Sequence, residues 1–199
     1  MINTGIILNS SGNLEMEDAE LIRLCQEGDM SAFESIFRKH QNRVYNVTYR
    51  MMGNQDDAMD MTQDIFVKAY QKIGKFNFKS SFSTWIYRIA VNHCIDELRK
   101  RKRNGQSVPL EEAITKADET TPEKQAVLND RQQNVWKAIN SLKDKDRSII
   151  ILRDIEGLSY KEISKVMKCS MGRVKSRIHE ARQKLKKILE EQTELWNEI

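Results

Sequence analysis

The sequence predicts an all-α protein of two small helical domains joined by a flexible acidic linker, the second domain containing a helix-turn-helix. Three observations predict it. Apolar residues recur at intervals of three and four along most of the chain, the period of an amphipathic helix. Only two prolines and eight glycines interrupt 199 residues. Charge is segregated: Lys161 to Lys187 holds ten Lys/Arg against Glu162 and Glu180, whereas Asn104 to Asp130 holds six acids against Lys116 and Lys124. Such separation points to nucleic acid as the partner of the basic segments.

Residues 1–16 read as a flexible N-terminal extension, because the apolar run Ile6-Ile7-Leu8 is too short for a signal peptide or a membrane span. The first domain covers residues 17–103. Asp18 to Gly28 predicts a short helix with Gly28 as its stop. Ser31 to Met52 continues through Phe33, Ile36, Phe37, His40, Val44, Val47 and Met51, and Gly53 ends it. Asn54 suits the cap of a third helix running to Ile73, Gly74 to Ser81 is a loop, and Phe82 to Arg103 is a fourth helix. Residues 104–121 lose the periodicity and read as the linker, with Leu110 to Ala117 able to form a helical turn. The second domain, 122–199, opens with Pro122 as the first helical residue after a Thr121 cap. Helices follow through Val127 to Leu142, Asp146 to Ile155, Tyr160 to Met167 and Met171 to about Glu191.

Cys25, Cys94 and Cys169 are far apart and odd in number, with no Cys-x-x-Cys or Cys/His cluster. Free thiols in a reducing cytoplasm are expected, with no metal and no cofactor. No carboxylate cluster, Ser/His/Asp grouping or phosphate loop is present, so the expected protein is not an enzyme and has no small-molecule substrate.

The segment Phe82 to Arg103 combines aromatics at its head with five consecutive basic residues, Arg99 to Arg103, at its tail. Aromatics stack on unpaired bases and basic clusters neutralise phosphates, so the helix suits a protein that opens DNA. The preceding loop adds Phe76, Asn77, Phe78, Lys79 and Ser80, stacking surface and donors for the wall of a flipped-base pocket. Phe82 and Ile86 read as core. For Trp85 and Tyr87, core packing and base stacking stay open as alternatives. Arg88, Asn92 and Asp96 lie on the more polar side, and an Asn amide matches an adenine edge. Arg99, Lys100 and Arg103 are the expected phosphate contacts. Five cations in a row exceed what a helix C-terminus needs.

In the second domain Ser159-Tyr160-Lys161-Glu162 fits a capping box. Lys168-Cys169-Ser170 makes a short turn, and Ser170 caps the next helix. There Val174, Ile178, Ala181, Leu185 and Ile188 form one stripe, while Gly172, Ser176, His179 and Gln183 lie opposite, flanked by Arg173 and Lys175. A buried stripe with a small, polar, basic outer face suits the major groove. Lys175, Ser176 and His179 are the best candidates for base or phosphate contact. Arg177 and Arg182, nearer the stripe, reach phosphates or internal carboxylates. A helical hairpin with a solvated basic face is the plainer alternative.

The third helix turns Asp56, Asp60, Gln63, Asp64 and Val67 away from its core. Solvated acids are one account. An acidic, partly apolar stripe would repel DNA, so a docking surface for another protein is the other.

Gly53-Asn54 followed by DDAMDMTQDIFVKAY, then FSTWIYRIAVN, then GLSYKEIS with MGRVKSRIHEAR, resembles in order and spacing the extracytoplasmic-function group of bacterial RNA polymerase sigma factors. The likeness covers about 150 residues, leaving out the extension and the linker. It implies that Asp57, Asp60, Gln63, Asp64, Phe66 and Val67 bind core RNA polymerase, on the clamp of its largest subunit. The Phe76–Ser83 loop and the helix after it would recognise and melt the −10 element. Ser170, Arg173, Lys175, Ser176, Arg177, His179 and Arg182 would serve the −35 element in the duplex. An anti-sigma factor, often membrane-anchored in this family, would hold the protein inactive. The location implied is the cytoplasm, at the nucleoid when active. Arg173 stands where the family usually has Thr, Glu180 where a basic residue is common, and Lys143 where Pro is usual. The first two flank the reading positions, so the promoter sequence does not carry over. The competing expectation is a stand-alone helix-turn-helix regulator, which would leave the aromatic loop and the acidic helix without a task.

Overall fold

The computed structural model describes the backbone of residues 6–8, 14–105 and 122–197, and the side chains of 17–105 and 132–191. The expected Leu110–Ala117 turn and Thr121 cap lie outside the described residues. Within the N-terminal segment Ile6–Leu8 (β1) pairs antiparallel with Leu14–Met16 (β2), Ile7 opposite Glu15. The extension expected at 1–16 therefore contains a short antiparallel pair of strands. Ile6-Ile7-Leu8 has the strand preference for it.

Four helices build the first domain: Asp18–Gln26 (α1), Met30–Met52 (α2), Gln55–Lys72 (α3) and Phe82–Arg103 (α4). Local chemistry sets their ends. Asp29 accepts from the Ser31 amide at 2.8 Å and the Ala32 amide at 3.2 Å, satisfying donors at the start of α2. Gly53, at φ +85°, stops the same helix in the left-handed conformation that glycine adopts without penalty. Asn54 then caps α3 by accepting from the Asp57 amide at 2.8 Å, and Ser81 caps α4 through the Thr84 amide at 3.2 Å. The apolar faces meet in a core containing Ile36, Val44, Met51, Ile65, Ile86 and Leu98, each 0–1% exposed. α1 is pinned to this core by Asp18, which lies 2.9 Å from the His40 ring and 2.9 Å from Lys39 Nζ. Partial burial raises the Asp18 pKa, but the hydrogen bonds and electrostatic attraction from His40 and Lys39 outweigh it and bring the carboxyl down to about 2.

The second domain comprises Pro122–Ser141 (α5), Asp144–Ile150 (α6), Tyr160–Val166 (α7) and Met171–Asn197 (α8). The expected single helix from Asp146 to Ile155 changes pitch partway. After Ile150 its last turn widens to a π-helical one, closed by the Glu156 amide on the Ile151 carbonyl at 2.9 Å. Ser159 and Glu162 form the expected capping box at 3.3 and 2.8 Å. α7 ends in a Schellman arrangement: Lys168 sits at φ +48° and the Cys169 amide reaches the Ser164 carbonyl at 3.1 Å. Val174, Ile178 and Ala181 of α8 are buried, and Leu185 and Ile188 are half-buried, against a core of Ile149, Leu152 and Ile163.

The two domains pack against each other. α7 lies on α4, and Arg147 of α6 crosses to the end of α2, where its guanidinium donates to the Met51 carbonyl at 2.8 Å. That carbonyl belongs to the last turn of α2, the negative end of the helix dipole. Arg147 is 8% exposed, and burial lowers its pKa from the usual arginine value while Asp144 opposes the shift. Lys102 of α4 adds an ion pair to Asp144 at 2.8 Å.

Candidate nucleic-acid interface

Three surfaces carry the residues singled out in the sequence. The first is the Ile73–Ser81 loop with the head of α4. A short 3-10 turn, Ile73–Lys75, leads into it, and Ile73 and Phe76 are buried anchors at 3% and 5% exposure. The structure buries three aromatics: Phe76, expected in the wall of the loop, and Trp85 and Tyr87, open between core and stacking in the sequence. Phe76 packs edge-on against Phe82 at 6.2 Å and Trp85 at 5.3 Å, and Phe82 meets Trp85 at 5.5 Å. Trp85 and Tyr87 are 8% and 4% exposed, so neither offers a free ring face. Tyr87 instead donates its hydroxyl to Glu156 of the second domain at 3.2 Å. Burial, then the Glu156 charge, push that hydroxyl well above the ordinary tyrosine range.

Phe78 is different. It is 43% exposed and sits at φ +58°, a left-handed conformation that costs a non-glycine residue about 1–2 kcal/mol. Its ring leans edge-on against Phe76 at 5.0 Å. Around it Asn77 accepts from the Lys79 amide at 3.3 Å, and Asn77 and Lys79 side chains are exposed with Ser80 half-exposed.

The second part of this surface runs down α4. Arg88 is half-buried, Asn92 and Asp96 are exposed, and their spacing of four continues to Arg99, Lys100 and Arg103, all exposed. Arg99 pairs loosely with Asp96 at 3.8 Å and Lys100 with Glu97 at 3.8 Å. Arg101, next in the run, turns inward and holds Asp57 through two bonds, one at 2.7 Å, with Glu97 at 3.1 Å.

That pairing corrects one residue of the acidic face. Asp57, expected to meet the polymerase, is the internal partner of Arg101; hydrogen bonding from Arg101, opposed by partial burial, lowers its pKa. Phe66 is likewise internal, 3% exposed and edge-on to Phe37 at 4.7 Å. Asp60, Gln63, Asp64 and Val67 do face outward, Val67 at 56% exposure, with Asp64 3.4 Å from His93. Met59 and Tyr70, 47% and 41% exposed, extend the face with apolar area that the sequence reading did not include. Their signal was present in the helical spacing, at four and seven residues from Gln63.

The third surface is the outer side of α8. Arg173, Lys175, Ser176 and His179 are exposed, and Arg177 is half-buried. Ser170 is occupied as the helix cap, accepting from the Arg173 amide at 3.3 Å. Arg182 is held by Asp154, with one bond at 3.3 Å.

Two contributors escaped the sequence reading. From α1, the Gln26 side-chain amide donates to the Ile73 carbonyl at 2.9 Å and the Phe76 carbonyl at 2.8 Å. Arg23 places its guanidinium over the Phe78 ring at 5.7 Å. Both bridge about fifty residues of sequence, beyond the reach of local spacing. Among the described residues no group of three His, Cys, Asp or Glu could hold a metal ion, and no helix is long and apolar enough to cross a membrane. Cys94 is buried at the centre of α4, and burial pushes its thiol up to about 12.

Family models for Sigma-70 region 2 and Sigma-70 region 4 match residues 36–104 and 132–185. The chain is 36% identical over 184 residues to the ECF RNA polymerase sigma factor SigW of Bacillus subtilis, covering 88% of this chain and 98% of that one. It is 33% identical over 177 residues to the ECF RNA polymerase sigma-E factor of Escherichia coli K12, covering 85% and 92%. Among solved structures it is similar to the sigma factor RpoE of Bartonella quintana in complex with the anti-sigma factor NepR. The TM-score there is 0.64 at 26% identity, over 79% of this chain and 96% of that one. The structure of CnrH with the cytosolic domain of CnrY shares the fold, with TM-score 0.65 at 24% identity, over 87% and 97%.

Proposed function

The chain belongs to the extracytoplasmic-function family of bacterial RNA polymerase sigma factors, and from that premise we propose how its three surfaces divide promoter recognition. It is a transcription-initiation factor that joins core polymerase, selects promoters by their −10 and −35 elements and promotes melting. The outward face of α3, with Asp60, Gln63, Asp64 and Val67, docks on the clamp of the largest subunit; Met59 and Tyr70 add apolar area there. Phe78 and its loop take an unpaired base, and Arg99, Lys100 and Arg103 hold phosphates beside it. Lys175, Ser176 and His179 enter the major groove at the −35 element. The chain has no chemistry of its own; the polymerase supplies the active site, and the work is done in the cytoplasm, at the nucleoid.

Phe78 carries the reading. An exposed aromatic, held in a costly left-handed conformation beside buried aromatics, offers a stacking face that offsets an unstacking cost of a few kcal/mol. The stand-alone regulator finds no support here, since it uses neither this loop nor the α3 face.

The packed arrangement is a resting one. The −10 and −35 elements lie about 25 base pairs apart, which is about 85 Å of helix axis. Reading both calls for the domains to separate on binding polymerase, with loss of the Tyr87–Glu156 bond that joins them. An anti-sigma factor is the expected controlling partner, as the NepR complex of the Bartonella relative supports, and the α3 and α4 faces are what it would cover. The experiment is reconstitution: purified protein added to core polymerase should yield promoter-specific transcripts, and the Phe78→Ala variant should bind core normally yet fail to open the promoter. Transcripts identical with and without the protein would overturn the reading.

A further inference from the structure

We infer that Gln26, the last residue of α1, is a positioning residue for strand opening: it braces the loop that presents Phe78. The inference rests on the role given to that loop above. The geometry begins with an accounting of backbone groups. α3 ends at Lys72, and the carbonyls that follow have no helical partner. The Ile73 carbonyl accepts from the Phe76 amide at 2.9 Å, closing the short turn. Gln26 then spends both hydrogens of one amide nitrogen on this turn, one on the Ile73 carbonyl at 2.9 Å and one on the Phe76 carbonyl at 2.8 Å. The second of these fixes the peptide two residues before Phe78.

A turn held at both ends from a neighbouring helix can support the left-handed conformation of Phe78, which the loop's own sequence disfavours. Arg23, one turn earlier on α1, completes the brace from the other side with its guanidinium over the Phe78 ring at 5.7 Å. α1 in turn is locked to α2 through Asp18, His40 and Lys39. The chain of contacts therefore runs from the rigid core, through α1, to the one exposed aromatic of the loop. A loop misplaced by about 1 Å loses much of the advantage of a preformed site, on the order of a hundredfold in rate where positioning dominates.

Three full-length variants separate the possibilities. Each is combined with core polymerase on a promoter carrying 2-aminopurine in the non-template strand of the −10 element. Gln26→Leu removes both donors at similar size. Gln26→Lys restores donors through an ammonium that can reach both carbonyls. Phe78→Ala removes the stacking face itself. The expected result is that Gln26→Leu slows the fluorescence rise of opening by about tenfold or more, with core affinity and melting temperature unchanged. Transcription from a template already unpaired at the −10 element should be largely restored in Gln26→Leu, and Gln26→Lys should open near the wild-type rate. Opening at the wild-type rate by Gln26→Leu while Phe78→Ala fails would overturn the brace and leave the loop's role standing. Wild-type rates for both would overturn the loop's role as well. An equal loss of core affinity, melting temperature and opening in Gln26→Leu, unrepaired by Lys, would mean the residue only holds the fold together.

Discussion

The hydroxyl of Tyr87 donates to Oε2 of Glu156 at 3.2 Å, and Oε1 of the same carboxylate lies 2.6 Å from Arg50. One side chain of the second domain thus engages two residues of the first. Glu156 is there because the π-helical turn at Ile151–Ile155 adds a residue to the end of the helix and Gly157, at φ +71°, turns the chain away behind it. Arg50 is steadied from the opposite side by the Trp136 ring, 5.6 Å from its guanidinium.

The Glu156→Ala variant should therefore open the molecule. It leaves a buried hydroxyl and a half-buried guanidinium without their acceptor, which costs the closed arrangement about 1–3 kcal/mol. Small-angle scattering should show a larger radius of gyration for the variant, while helicity by circular dichroism stays the same. A scattering curve superimposable on wild type would show that Arg147 and Lys102 hold the domains together without Glu156.

The aromatics divide into two classes with opposite signatures. Trp85→Ala removes a ring that packs on Phe76 and Phe82, and should cost about 3–5 kcal/mol of stability. Phe78→Ala touches an exposed ring and should change stability by no more than about 0.5 kcal/mol. In permanganate footprinting with core polymerase, Phe78→Ala should lose thymine reactivity in the −10 element. Full reactivity would sink the stacking role of Phe78.

Local chemistry made most of the fold legible. The caps at Asn54, Ser159 and Ser170 and the stops at Gly28 and Gly53 are short-range events, written in residue types beside each other. The apolar stripe of α8 followed from spacing alone. What the sequence could not show was non-local. Tyr87 stood open between core and surface because periodicity cannot say that a second domain covers α4, and Trp85 because it cannot say that the loop folds Phe76 back onto its ring. Asp57 looked like its exposed neighbours until Arg101, 44 residues later, came round to hold it. Gln26 and Arg23 gave no signal, because their partners lie on a loop brought near only by the packing of α1.

Charge reversal on α3 should act on assembly alone. Asp60 and Asp64 are exposed, so replacing both by Lys leaves the helix buried on the same core. Affinity for core polymerase should fall by at least about tenfold, or 1.4 kcal/mol, with the melting temperature nearly unchanged. Co-elution with core at moderate salt, undiminished in the double variant, would remove α3 from the docking surface.

The Asp18 carboxyl links stability to acid. Its pKa falls from 3.8 to about 2 in the folded state, so the unfolded chain binds the proton more readily. The stabilisation, about 2 kcal/mol by linkage, is fully present above about pH 5. It should disappear as pH drops through 3.8 toward 2. Thermal melts of wild type and Asp18→Asn should therefore differ at pH 6 and converge near pH 2. A gap that persists at low pH would assign the loss to packing and not to charge.

On α8 the salt dependence of binding should separate a cation that meets phosphate from one that does not. Lys175 is exposed on the outer face of α8 without an ion pair among the described residues, whereas Arg182 is committed to Asp154. A cation that neutralises one phosphate contributes about 0.9 to the slope of log K against log salt. Lys175→Ala should therefore weaken holoenzyme binding at the −35 element across sequence variants alike and reduce the slope by about that amount. Arg182→Ala gives up an internal pair, so it should lower the melting temperature of the second domain and leave the slope where it was. The reverse pattern, with the slope changing only in Arg182→Ala, would mean that Arg182 leaves Asp154 for the phosphate backbone on binding and that Lys175 faces away from the DNA.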